Sequence, residues 1–371
     1  MGGYQKKYLP IFFCVAVALG IFIGSQLNYS SNPTNILGGN AKKEKLNRLI
    51  DYIDYEYVDP INTDSIVEVT VNGILENLDP HSVYIPPSEL QEVSESMKGD
   101  FVGIGISFYN FRDTIAVIQA IPGGPSEKAG IRGGDRIVAA DNQSLTGAVV
   151  RDDTITNQLK GQINTKVALK VKRPGVEGLL DFKVTRAVVP LKSVDASYMA
   201  TDTLGYIKIN RFAESTPQEF EKALVALKRK GATQLILDLR GNPGGYISAA
   251  EQIADQFLKE DKLILFTKNK TGKIENAYAT DEGAFESGKL YVLINENSAS
   301  ASEIVAGAIQ DNDRGVIVGR RSFGKGLVQR EMQLGDGSAV RLTIARYYTP
   351  TGRSIQRPYD AGNKAYYEDY L

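Results

Sequence analysis

The chain predicts a multidomain α/β protein, and three observations carry that prediction. At 371 residues it exceeds what one ordinary core serves, so two or three domains are expected. From residue 188 onward, strand-like apolar runs alternate with amphipathic helical stretches, the pattern of an α/β core around a central, largely parallel sheet. Ahead of that core, residues 98–187 set short β-branched runs between glycine-rich turns, and residues 41–97 carry helical spacing. Apolar residues at 42% and charged residues at 23% belong to a globular composition. The 43 basic and 44 acidic residues leave a net charge of −1, which makes no case for nucleic acid. One cysteine, Cys14, excludes an internal disulfide framework and supplies no zinc site.

At the N-terminus, Lys6 and Lys7 precede an uncharged apolar run from Leu9 to Gly24, followed by the polar residues 25–40. Residues 1–29 read as a cytosolic tip and an uncleaved signal-anchor, with everything after it outside the cytoplasm. A cleaved signal peptide is the alternative, with Ile23-Gly24-Ser25 as a weak cleavage site. In residues 41–97, Leu46, Leu49, Ile50, Ile53 and Tyr57 recur at helical spacing, and Ile66, Val69, Ile74 and Leu78 repeat the pattern. Asp59-Pro60 breaks the first helix, and Asp79-Pro80-His81-Ser82 ends the second. These stripes suit a packed arm and a homo-oligomer contact equally. His81, the single histidine, has no local acid–base partner and reads as a cap or local hydrogen-bonder.

In residues 98–187, Val102-Gly103-Ile104-Gly105-Ile106 alternates glycine with β-branched residues. A strand over 114–120, a short helix over 126–129 and a strand over 136–140 follow. The segment GGPSEKAGIRGGDRIVAADNQSL resembles the PDZ signature of bacterial proteases. A glycine-rich loop leaves backbone N–H groups free for a terminal carboxylate, and a neighbouring sheet edge accepts an extended peptide. Val102–Ile106 is the expected cradle, and a helix around Val149–Leu159 the expected opposite wall.

The core from 188 to 371 begins with a strand over 204–209. Ser215-Thr216-Pro217 opens a helix with the stripe Phe220, Leu224 and Leu227, and Glu219 completes a capping box from Thr216. A strand over 234–239 runs into Arg240-Gly241-Asn242-Pro243-Gly244-Gly245 and a helix over 247–258. Strand, glycine turn and helix together build a backbone anion site. A phosphate loop would need a Gly-Lys-Ser/Thr ending, which is missing. Further on, a buried strand over 290–294 leads to Ser298, Ser300 and Ser302, then a helix, a strand over 316–318 and Phe323-Gly324-Lys325-Gly326. Ser300-x-x-Glu303 is a capping box on its own terms. With one histidine in the chain, the base for a serine nucleophile falls to lysine, whose pKa burial can lower by roughly 3 units.

SASASE, the serine-to-lysine spacing of 25 and FGKG resemble the catalytic core of the C-terminal processing peptidases, PDZ-containing serine proteases with a Ser–Lys dyad. The resemblance implies Ser300 as nucleophile, Lys325 as general base and Gln329 as the residue that orients the lysine. LDLRGNPGG resembles the family's oxyanion-hole segment, so that Gly244 or Gly245 supplies one amide and Ala301 the other. LDPHSVYI and YYTPTGRSIQ also match, which extends the resemblance over about residues 41–358. It implies a crotonase-like protease core and a structural role for LDPHSVYI. Many relatives continue past Leu371; if the chain is a fragment, what it lacks is a C-terminal portion that helps dimerisation or core packing.

The expected function is therefore an envelope serine endopeptidase, anchored in the inner membrane with its catalytic part on the periplasmic side. It takes protein substrates by their C-termini through the PDZ domain and needs no metal or cofactor. Its rivals are a membrane-tethered PDZ adaptor with an inactive protease core and an acyl-CoA-type enzyme on the crotonase scaffold.

Overall fold

A computed structural model describes residues 14–19, 41–111, 114–147 and 152–368. Residues 14–19 are helical, and the rest of the apolar run read as a signal-anchor lies outside the described residues. No described helix is long and apolar enough to cross a membrane. The chain divides into two compact units, one up to Gly73 and one from Ile74 onward.

The first unit holds α1 (Ala41–Glu56) and most of α2 (Thr63–Glu76), with Asp59-Pro60 in the break between them. Thr63 Oγ1 donates to Asp54 Oδ1 across that break (2.5 Å). Helix does not run unbroken through this region to residue 97. It stops at the Asp79-Pro80 turn, and β1 (Val83–Ile85) follows before α3 (Pro87–Lys98). Val-Tyr-Ile between a turn and two prolines favours an extended backbone, and Pro87 then opens the next helix at its first position.

In the second unit, residues 100–190 form an antiparallel module of ten elements: β2 (Asp100–Gly103), β3 (Ile106–Phe111), β4 (Thr114–Ala120), α4 (Pro125–Ala129), β5 (Arg136–Ala140), β6 (Gln143–Ser144), α5 (Asp152–Leu159), β7 (Lys166–Lys172), β8 (Leu180–Thr185) and β9 (Ala187–Pro190). The main sheet runs β3-β4-β5-β7-β8, with β6 on β5, while β2 pairs with β9. β7 alternates strictly: Val167, Leu169 and Val171 face inward, and Lys166, Ala168, Lys170 and Lys172 face out. These valines and leucine pack with Ile115, Ile137 and Ile155 in one apolar cluster. Beside it the buried Asp135 accepts two hydrogen bonds from Arg173 (both 2.7 Å).

The remaining elements are β10 (Val194–Met199), β11 (Leu204–Ile209), α6 (Thr216–Arg229), β12 (Gln234–Asp238), α7 (Ile247–Asp255), β13 (Leu263–Asn269), β14 (Ile274–Tyr278), β15 (Lys289–Ile294), α8 (Ala301–Asp311), β16 (Val316–Gly319), β17 (Leu327–Gln333), β18 (Ala339–Tyr348) and α9 (Asn363–Glu368). One sheet runs β10-β11-β12-β15-β16 and is parallel except at β10–β11, as the alternating pattern predicts. A second, antiparallel sheet runs β1-β18-β13-β14, with β17 also on β18. Sequence pattern alone does not reveal it, because its strands come from residues 83 to 348 and pair across long separations. The capping box expected at α6 is replaced. Glu219 accepts the N–H groups of Ser193 and Val194 (2.8 and 3.1 Å), and Thr216 Oγ1 accepts that of Ala213 (2.7 Å). The helix start is thereby stitched to the entrance of β10.

The main core lies between the parallel sheet and α6, α7 and α8. Phe220 is fully buried there, edge-on to Phe257 at a centroid distance of 5.7 Å. Truncation to alanine removes an aromatic side chain from a packed interior and leaves a cavity. Phe220→Ala is expected to cost about 3–5 kcal/mol of stability. Urea unfolding followed by circular dichroism checks it through a lower midpoint at unchanged slope.

Candidate active site

α8 is the most buried helix of the core: every residue from Ala301 to Ile309 is buried. Its start is therefore fixed by packing as well as by capping. Ser300 precedes it with φ +55° and ψ −113°, a backbone conformation that L-residues avoid. The serines on either side are anchored, since Ser298 Oγ donates to the Leu239 carbonyl (2.8 Å) and Ser302 Oγ to that of Asn242 (3.0 Å). The glycine turn and the serine turn are thus tied together through the fully buried Asn242.

The tie brings Gly244 directly against Ser300. A Cβ on Gly244 would lie 2.8 Å from Ser300 Cβ and 2.9 Å from the Ala301 nitrogen, so glycine is obligatory here on space as well as on its φ of +102°. The Gly244 N–H is committed to Asn242 Oδ1 (2.9 Å). Among the described residues the N–H groups of Gly245 and Ala301 have no hydrogen-bond partner. Of the two glycines singled out in the sequence, Gly245 is the one with a free donor.

Glu303 does more than cap. Its carboxylate is 2% exposed and accepts the N–H of Ser300 (2.9 Å), the capping bond, together with the N–H groups of Gly324 (2.7 Å) and Lys325 (2.9 Å) and the Ser322 hydroxyl (2.7 Å). Burial pushes its pKa up, against these four hydrogen bonds, which favour the charged form. The loop carrying Lys325 is thus bonded to the turn carrying Ser300.

Ser300, Lys325, Gln329, Gly244 and Gly245 line one cavity of about 600 Å³. Lys325 Nζ donates to Gln329 Oε1 (2.8 Å). Gln329 Nε2 in turn donates to the carbonyl of His81, which fixes the orientation of the amide. Burial, and secondarily the charge of Arg341 on the same cavity wall, lower the Lys325 pKa to about 8. The His81 backbone carbonyl, in the segment between α2 and β1, is the contributor that sequence reasoning missed. Asp79 Oδ1 accepts the N–H groups of His81 and Ser82 (both 2.9 Å), so the turn that presents this carbonyl is braced. The His81 ring lies within hydrogen-bonding distance of the Tyr366 hydroxyl (Nε2 to Oη, 2.9 Å). Burial, and next the Lys325 charge, lower its pKa to about 4. The only sequence signal for this role is the LDPHSVYI match.

Val102–Ile106 does not line this cavity. It joins β2 to β3, with the Ile104 carbonyl accepting the Ser126 N–H (2.9 Å) and the Gly105 carbonyl that of Ile121 (3.0 Å). The carbonyls are thereby tied inward, and the N–H groups of Ile104 and Gly105 have no partner among the described residues. β3 is the outer strand of its sheet. Ile106 and Phe108 on β3 share an apolar cluster with Ile104 and with Ile155 and Leu159 of α5. The described helix begins at Asp152, and residues 149–151 of the expected wall lie outside the described residues.

Comparison with known proteins identifies the family. Residues 203–361 match the family model for Peptidase family S41, and residues 102–184 match that for the PDZ domain. The chain is 34% identical over 352 residues to a carboxy-terminal-processing protease of Bartonella bacilliformis, covering 93% of this chain and 80% of the relative. It is 33% identical over 360 residues to the carboxy-terminal processing protease CtpA of Bacillus subtilis, covering 95% of this chain and 76% of the relative. A solved structure described as an S41 protease from Bacteroides fragilis has the same fold, with a TM-score of 0.51 at 16% identity over 87% of this chain and 92% of that one. The chain belongs to the carboxy-terminal processing proteases, PDZ-containing serine peptidases of family S41.

Proposed function

We propose that the protein is an envelope endopeptidase that captures substrates by their C-termini and cleaves them with Ser300, Lys325 and Gln329. One observation carries the mechanism: a half-buried lysine, its amine held by Gln329, shares a cavity with a serine at the start of a buried helix. With a pKa of about 8, roughly a tenth of the amines are neutral at pH 7, against about one in 3,000 for an ordinary lysine. Neutral Lys325 has one lone pair. The bond to Gln329 uses an N–H and leaves that pair for the Ser300 proton. Ser300 Oγ attacks the scissile carbonyl, and the proton passes to Lys325 Nζ and then to the leaving amine. Water subsequently opens the acyl-enzyme with the same lysine as base. The free N–H groups of Gly245 and Ala301 are the proposed oxyanion donors, and Gly244 is the spacer that lets the glycine turn approach Ser300.

Substrate capture is assigned to the Ile104 and Gly105 amides for the terminal carboxylate, with the substrate strand added to the open edge of β3. The apolar run 9–24 behind Lys6 and Lys7 supports an inner-membrane anchor with the catalytic part outside the cytoplasm. Exposed apolar side chains on α1 and α2, such as Leu49 and Val69, support self-association.

The test uses an unfolded protein with an apolar C-terminus as substrate. Ser300→Ala and Lys325→Ala are each expected to lose at least about 1,000-fold in kcat, and Gln329→Ala about 10–100-fold. Log kcat/KM should climb with unit slope below pH 8 and level above it, because the neutral amine is the active form. Binding of the substrate C-terminus without cleavage by any form would instead favour an adaptor with an inactive core.

The same lysine predicts a stability effect. Its folded pKa of about 8 lies below its unfolded value, so between the two the unfolded chain binds more protons and stability rises with pH. Lys325→Met keeps the volume without the charge. It is expected to be more stable than the parent by roughly 3 kcal/mol at pH 7, an advantage that closes as the pH approaches 10.5. Paired urea titrations across that range measure the difference, and a constant gap would show that the lysine carries no depressed pKa.

A further inference from the structure

Tyr347, near the end of β18, lies outside the cavity and its side chain is 1% exposed. Its hydroxyl reaches two carbonyl oxygens, that of Ser300 (3.1 Å) and that of Lys325. A phenol has one proton, so the two carbonyls share it, and burial together with the Glu303 charge keeps the phenol from ionising. Backbone bonding fixes the tyrosine itself, since its N–H donates to the Gly326 carbonyl (3.0 Å). On the N-terminal side of the same two residues, Glu303 accepts the N–H groups of Ser300 and Lys325. The serine and the lysine are therefore bridged twice, by a carboxylate through their N–H groups and by a phenol through their C=O groups.

We propose that Tyr347 is a positioning residue that sets the separation of Ser300 and Lys325 by holding both of their carbonyls with one hydroxyl. The inference rests on the Ser–Lys reading above. The Ser300 carbonyl is already fixed by the N–H groups of Glu303 (2.8 Å) and Ile304 (3.0 Å) at the helix start. The phenol therefore ties the Lys325 carbonyl to a rigid point, which Glu303 alone, bound to the Lys325 N–H, does not do. Proton transfer from Oγ to Nζ is steeply sensitive to displacement of the lysine, of which about 1 Å can cost 100-fold. Tyr347 touches neither substrate nor the transferred proton, so its effect belongs in kcat and in the lysine's pKa rather than in KM.

The test is Tyr347→Phe in the full chain, with Tyr278→Phe, an exposed tyrosine, as control. The expected result is a kcat lower by about 10–100-fold, KM within about twofold, and an acid limb raised by about half a pH unit or more as Lys325 relaxes toward solvent. The control should leave all three unchanged. An unchanged kcat and limb overturns the proposal, and so does a loss of activity that follows a loss of folded protein with the limb in place. Should the phenylalanine variant not fold, 4-aminophenylalanine at position 347 keeps a para N–H donor. Activity near the parent's then supports the proposal, and a folded, inactive chain overturns it. The comparison is scored only where Ser300→Ala abolishes parental activity. Activity that survives Ser300→Ala defeats the Ser–Lys reading, a result distinct from failure of the tyrosine proposal.

Discussion

The carboxylate of Glu303 joins two loops that share no secondary structure, and the geometry of the cavity depends on that joint. Four donors converge on it, one from the turn at Ser300 and three from the loop at 322–325. In a site this buried each donor would cost about 1–3 kcal/mol if left unpaired, so the two loops cannot separate cheaply. Burial opposes ionisation, and the hydrogen bonds reward it, which makes the carboxylate tolerable only while every donor is in place. Order in one loop is therefore a condition of order in the other.

From this joint the constraints spread outward along the strands. β17 continues directly from the lysine loop and pairs with β18, so Gln329 is placed by sheet register, opposite Thr343. The N-terminal strand β1 lies on the same β18, with Val83 opposite Arg341. The turn before β1 thereby comes within reach of Gln329 and offers it the His81 carbonyl. Lysine, glutamine and a carbonyl 248 residues earlier in the chain form one line because three strands meet on one sheet.

This explains what the sequence discloses and what it conceals. A local pattern has a local cause: Ser300-x-x-Glu303 announces a helix start, β7 announces its inward face by alternation, and the parallel sheet follows from strands alternating with helices. The serine, the lysine and the glutamine are visible because they lie within 30 residues of one another in a specific motif. The antiparallel sheet, the brace at Asp79 and the bridge at Tyr347 are contacts between distant residues with no periodic signature. The capping box shows the limit plainly, since one oxygen–amide bond of Glu303 is legible and the three to the lysine loop are not. The box expected from Thr216 fails similarly, because Glu219 finds better partners in Ser193 and Val194.

Several features here run against folding: a non-glycine residue at φ +55°, a lysine partly withdrawn from water and a carboxylate whose burial favours its neutral form. Each costs on the order of 1–3 kcal/mol, a large share of a typical domain's net stability. They sit against the start of α8, the helix with the longest unbroken run of buried residues in the core. That placement is physically reasonable. Burial of Ile304, Val305, Ala308 and Ile309 fixes the helix axis, so unfavourable local geometry at its N-terminus cannot relax by moving the helix. An exposed helix would yield to the same forces and let Ser300 fall into an ordinary cap conformation. The apolar core thus has two roles, holding the fold together and keeping a serine and a lysine of lowered pKa in conformations that neither would adopt alone.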